Sequence, residues 1–170
     1  MPDTPATASD LEALREQLGR DVRGVVAIAA RCACGNPTVV HTAPRLPDGT
    51  PFPTQYYLSH PGAVAAVSTL EATGTMRGMQ ERLGEDEALA DAYRAAHERY
   101  LHERYALEDV EEIHGVSAGG MPDRVKCLHA LVGHALAAGP GVNPIGDEAL
   151  ELIRDQWRPD RCTCATPAAG

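Results

Sequence analysis

The sequence is poor in aromatic side chains and almost without lysine. One Phe, one Trp and five Tyr are all the aromatics in 170 residues, so a core must be built mostly from Leu, Val and Ala packed close together. Of the 15 basic residues only Lys126 is lysine; the rest are arginine. Against 24 acidic residues they leave a net charge of −9. No dense cationic field exists, which excludes nucleic acid as a partner. The longest apolar run covers residues 25–30, while a membrane span needs about twenty residues, so no spanning helix is expected. The opening MPDTPATASD has neither a basic n-region nor an apolar h-region, which is unlike a signal peptide. The expectation is a cytoplasmic protein with reduced thiols. Its five cysteines then read as metal ligands, nucleophiles or core residues rather than disulfides. Neither G-x-x-x-x-G-K-[ST] nor G-x-G-x-x-G occurs, which excludes those nucleotide-binding loops.

What is present predicts an α+β fold: a small N-terminal antiparallel sheet, a hairpin plus a third strand, packed on a mainly helical C-terminal two-thirds. A helix over 9–18 carries a capping box at Ser9 and Glu12, an apolar stripe of Leu11, Leu14 and Leu18, and Gly19 as its stop. The β-rich stretches 23–31 and 37–42 flank a tight turn and form the hairpin. Residues 43–53, with four prolines and Asp48-Gly49, make a loop, and 54–58 a third strand. Pro61 opens a helix that Gly74 ends. Further helices are expected over 75–83, 85–109, 122–138 and 147–157, with Tyr93, Ala96, Tyr100 and Leu107 on the buried stripe of the longest. Residues 1–157 read as one domain and 158–170 as a flexible tail.

Three groups of residues could carry chemistry. Cys32-Ala33-Cys34-Gly35 places two thiols on the hairpin turn, as zinc knuckles do, although the usual spacing is C-x₂-C and two small turn residues would look the same. Lys126-Cys127-Leu128-His129 is followed by His134. On a continuous helix Cys127 and His134 share a face, two turns or about 10.5 Å apart, with His129 nearly opposite. Buried Cys and a hydrogen-bonded core His are the plainer alternative. The loop Gly119-Gly120, with Arg124 and Lys126 in the first turns of the following helix, could hold an anion such as phosphate or a carboxylate. An ordinary entry loop is the alternative there. His60, between strand and helix, could join a site at the end of the sheet. Cys162-Thr163-Cys164 repeats the C-x-C pattern but lies in the tail, where incidental thiols are expected. The stretch 85–112, with ten acidic and three basic residues, is a solvated face or a dock for a basic protein.

Several long motifs resemble the DUF501 family: Arg31-Cys32 to Gly35; Thr42-Ala43-Pro44-Arg45-Leu46-Pro47-Asp48-Gly49-Thr50-Pro51-Phe52-Pro53-Thr54 with Tyr56-Tyr57-Leu58; Gly119-Gly120-Met121-Pro122-Asp123-Arg124-Val125-Lys126-Cys127-Leu128-His129; and Gly139-Pro140-Gly141-Val142-Asn143-Pro144. The resemblance spans roughly residues 10–155. It implies an uncharacterised actinobacterial group with no established activity, encoded near a septum-formation initiator and an exopolyphosphatase-like protein.

The residues point first to a Cys/His site binding Zn²⁺, structural or hydrolytic, that joins the hairpin to the last long helix. Cys32 and Cys127 are its primary ligands, with Cys34, His134 and His60 competing for the remaining positions. Loss of Cys32 should then cost more stability than loss of Cys162 or Cys164. The second reading is a metal-free enzyme with Cys127 as nucleophile, His129 assisting, and an anionic substrate at Gly119, Gly120, Arg124 and Lys126. The third is a non-catalytic adaptor that uses its acidic helix.

Overall fold

In the computed structural model, residues 3–165 and residue 168 are described. Three strands, β1 (Val25–Arg31), β2 (Pro37–Thr42) and β3 (Tyr56–Leu58), form an antiparallel meander in the order β1-β2-β3. Ile28 pairs with Val40, and Val39 with Leu58. β2 lies in the middle and is buried along its whole length, because both faces of the sheet are covered. Helix α1 (Ala8–Leu18) covers one face, where Leu14, Ile28 and Val40 pack together. On the other, Val39, Tyr56 and Leu58 meet the core formed by α2 (Pro61–Ala72), α3 (Thr75–Glu85), α4 (Glu87–Tyr105), α5 (Leu128–Ala138) and α6 (Pro144–Leu152). The expected α+β architecture is therefore present: the sheet lies in the N-terminal part and most of the helices follow it.

The central helix is α5, in which eight of eleven residues are buried. It lies directly on β3: a Cβ added at Gly133 would come within 2.5 Å of the Tyr56 carbonyl oxygen, so only glycine permits this approach. On α4, Tyr93, Ala96 and Tyr100 form the buried stripe, as the sequence spacing predicts. Leu107 instead lies beyond the helix and is 43 % exposed. Among the described residues no helix is long and apolar enough to cross a membrane.

Local expectations change at α1 and ahead of α5. The capping box of α1 belongs to Thr7 and Asp10, not Ser9 and Glu12: the Thr7 hydroxyl accepts from the Asp10 amide, and the Asp10 carboxylate accepts from the Thr7 amide. Leu11, expected in the apolar stripe, is 46 % exposed. The helix expected over 122–138 begins only at Leu128. The preceding backbone finds its partners elsewhere: Gly119 O accepts from the amides of Lys126 and Cys127, while Gln80 of α3 accepts from the Val125 amide and donates to the Asp123 carbonyl.

Candidate metal centre and a second thiol group

The hairpin turn is fixed before any thiol is considered. Cys32 N–H donates to Asn36 O and Gly35 N–H to Cys32 O, each at 2.8 Å. Arg31 reaches from the end of β1 to the Gly35 carbonyl (2.9 Å) and to both carboxylate oxygens of Asp10 on α1 (2.6 and 3.0 Å). The guanidinium holds the Asp10 carboxyl down to about 2, against the opposing effect of burial.

The C-terminal segment comes back to this turn. Ile153 and Trp157, which follow α6, are buried, and Ala33 N–H donates to Pro159 O at 3.2 Å. Cys162 and Cys164 thereby join Cys32 and Cys34, with all four sulfurs within 4.8 Å of one another. Cys164 Sγ lies 3.6 Å from Cys34 Sγ and 3.8 Å from Cys32 Sγ, and Cys162 Sγ accepts from the Cys164 amide at 3.4 Å. Cys32 is buried, Cys34 and Cys164 are half-buried, and Cys162 is exposed. The two tail cysteines, expected to be incidental, supply half of the cluster. The one sequence signal for them is their C-x-C spacing, the same as on the turn.

His60, the N-cap of α2, stands beside the cluster, its Nε2 3.2 Å from Cys164 Sγ. Its Nδ1 accepts from the Gly62 amide (3.1 Å), and burial lowers its pKa. The neutral ring therefore carries its proton on Nε2 and donates it to the sulfur. His60 is a hydrogen-bond donor to the Cys164 sulfur in this geometry, not a fifth donor atom for an ion.

The thiols compete for ionisation. Burial opposes it at Cys34, but hydrogen bonds from the Asn36 and Ala168 backbone and from Cys162 and Cys164 outweigh burial and bring that thiol down to about 6. Burial pushes Cys164 up to about 12 and raises Cys32 as well. Four sulfurs this close cannot all become thiolates by themselves; a divalent cation among them would resolve the conflict. The cluster could bind a metal.

The other expected ligands are elsewhere. Cys127 forms a second group with Glu71 of α2 and His129 of α5, again within 4.8 Å. Cys127 is the N-cap of α5, with non-helical backbone (φ −147°, ψ 106°), so the shared helical face with His134 does not exist. His134 is fully buried, stacked on Tyr56 (5.8 Å, 5°) and edge-on to Tyr100 (5.1 Å, 88°), with Nδ1 3.1 Å from Asn143 Nδ2. Burial drives its pKa down to about 4, the state of a neutral core histidine.

The expected anion loop is also differently built. Gly119 packs against Leu131, and Gly120 against the Arg124 carbonyl. Arg124 and Lys126 are exposed on the loop, ahead of the helix. The first N–H of α5, that of Leu128, is already taken by Glu71 Oε1 at 2.8 Å, so the chain supplies its own carboxylate to the helix terminus.

Four thiols closed on one another, on a three-stranded sheet backed by helices, define a small α+β domain with a candidate metal centre. The chain belongs to the DUF501 family, described as a protein of unknown function, whose model matches residues 28–151. That span includes Cys32, Cys34, His60, Glu71, Cys127 and His129 and ends before Cys162 and Cys164. No curated protein and no solved structure matches the chain.

Proposed function

We propose that Cys32, Cys34, Cys162 and Cys164 bind one Zn²⁺ ion, and that this metal staples the C-terminal segment to the hairpin turn. The observation that carries the reading is the meeting of two C-x-C pairs, one from each end of the fold. Tetrahedral zinc with Zn–S bonds of about 2.3 Å requires sulfurs about 3.8 Å apart, and two of the separations are 3.6 and 3.8 Å. A disulfide would need about 2.05 Å. Thiolates are soft donors suited to zinc. Four of them fill every tetrahedral position, which favours a structural role over a hydrolytic one. The His60 N–H would then orient and partly neutralise the Cys164 thiolate. A reducing, cytoplasmic setting would keep the thiols available to the ion.

Metal analysis of protein purified under reducing conditions without added metal tests this. The expected result is about one equivalent of zinc per chain. In a disulfide-exchange assay one thiol, Cys127, should react at once and four only after a chelator is added. Protein without metal that gains none from added Zn²⁺ would overturn the reading, as would five thiols reacting together.

A further inference from the structure

The second thiol group has a different chemistry. Glu71 Oε1 accepts from the Leu128 amide at 2.8 Å and stands 3.2 Å from His129 Nδ1. His129 Nε2 lies 3.1 Å from Ser68 Oγ. Glu71 at Nδ1 fixes the orientation of the ring, while Nε2 meets only the exposed Ser68 hydroxyl, which can turn to solvent and leave that nitrogen to take a proton. Cys127, at the N-terminus of α5, lies within 4.8 Å of both. Nucleophile, base and orienting carboxylate in mutual reach are the elements of a covalent catalytic centre.

The group also faces a space that a substrate could enter. Cys127 and His129 form part of the wall of an open cleft of about 300 Å³, whose other sides are mostly apolar, Leu18, Leu58 and Val64 among them, with Thr54 a polar member. That volume is at the lower end of small-molecule sites, about 300–1,000 Å³. No Lys or Arg lines the cleft, so it fits an apolar group rather than the anion suggested by sequence.

We propose that Cys127 is a nucleophile that accepts a short apolar acyl group from an activated ester or thioester, with His129 as general base and Glu71 as the residue that positions the imidazole. Cys127 Sγ bonds to the acyl carbon, and the bond from that carbon to the donor's oxygen or sulfur breaks. The thiol proton passes to His129 and from there to the leaving group. The acyl chain lies along Leu58 and Val64. The electrostatics agree: hydrogen bonding to His129 lowers the Cys127 pKa against burial, with the Ala130 amide assisting, and the same partner, followed by Glu71, raises that of His129. The foremost titratable groups acting on the pair are one another and Glu71. The inference is independent of the zinc staple, since none of its residues belongs to that cluster.

The test treats the full-length, metal-loaded chain with p-nitrophenyl hexanoate and, separately, p-nitrophenyl acetate, following nitrophenolate release and mapping the acylated peptide by mass spectrometry. Cys127 should be acylated about 100-fold faster than N-acetylcysteine at pH 7, the low end of what a positioned base supplies. Hexanoate should outpace acetate relative to the same free thiol. His129→Ala should remove most of the advantage. In Glu71→Gln the acid limb of the pH profile should move to lower pH, because the carboxylate that raises the His129 pKa is gone and the imidazole becomes a free base earlier; a purely architectural role for Glu71 would leave that limb in place. Acylation of Cys127 at the rate of N-acetylcysteine, acylation chiefly at another cysteine, or equal relative rates for the two esters would overturn the proposal. Loss of acylation on treatment with a chelator, with the fold retained, would likewise overturn it in favour of a metal at Cys127.

Discussion

The protein carries two thiol groups that differ in what surrounds each sulfur. At the hairpin turn, four like donors converge from segments about 130 residues apart in the chain. The four are acids of one kind with no separate base among them, so they cannot all ionise together until a cation arrives. At the start of α5, a thiol, an imidazole and a carboxylate converge from two helices. There the imidazole can take the thiol's proton and the carboxylate can stabilise the result, so the group settles its own charges. Similar distances between donor atoms can therefore suit a metal ion in one place and an acid–base relay in the other. The identity of the donors decides.

The largest expected effect separates the two groups directly. Cys164→Ser should abolish metal binding and cost roughly 2–5 kcal/mol, by analogy with loss of a native cross-link, or about 4–20 °C in Tm for a chain of this size. Cys127→Ser should shift Tm by no more than about 2 °C, since it removes no staple. Calorimetry on both variants decides; equal losses would erase the distinction. On the proposed four-thiolate reading Cys32→Ser should cost about as much as Cys164→Ser, unlike the difference expected from the sequence, because either change removes one ligand.

A smaller effect sharpens the role of His60. Removing a hydrogen-bond donor beside a metal ligand typically weakens metal binding 10–100-fold. His60→Ala should do so in competition with a chelating dye, while leaving acylation at Cys127 unchanged. Unaltered metal affinity would mean that the ring serves only to cap α2.

The smallest effect concerns the support of the turn. The Asp10 carboxyl titrates at about 2 in the fold, below its ordinary 3.8. A depressed carboxylate contributes stability that is full above the unfolded value and is lost as pH falls through the folded one. With part of the Arg31 side chain open to solvent, the contribution is on the order of 1–2 kcal/mol. Urea midpoints across acid pH should therefore fall less steeply below about pH 4 in Asp10→Asn than in the parent. Superimposable acid limbs would show that Arg31 does not hold the turn through Asp10.

How much of this was legible in the sequence depends on the range of the interaction that fixes each feature. The sheet and most helices follow from local signals: β-rich stretches either side of a short turn for β1 and β2, Pro61 opening α2, and the spacing of Tyr93, Ala96 and Tyr100 on α4. Position of the first thiol pair on a turn was equally local. The start of α5 was not, because Gln80 of α3 and the Gly119 carbonyl hold the backbone groups that would otherwise have extended the helix.

The sequence by itself determined the α+β class, the turn that presents Cys32 and Cys34, and the Cys127–His129 spacing, since each needs only neighbouring residues and their backbone preferences. The tertiary structure alone decided the partners. Cys162 and Cys164 reach the hairpin because Ile153 and Trp157 are buried and Pro159 accepts from Ala33. Glu71 reaches His129 because α2 packs beside α5. Coordination and proton transfer act over a few ångströms of space, and a linear pattern does not encode which distant segments the packing of a core will bring that close.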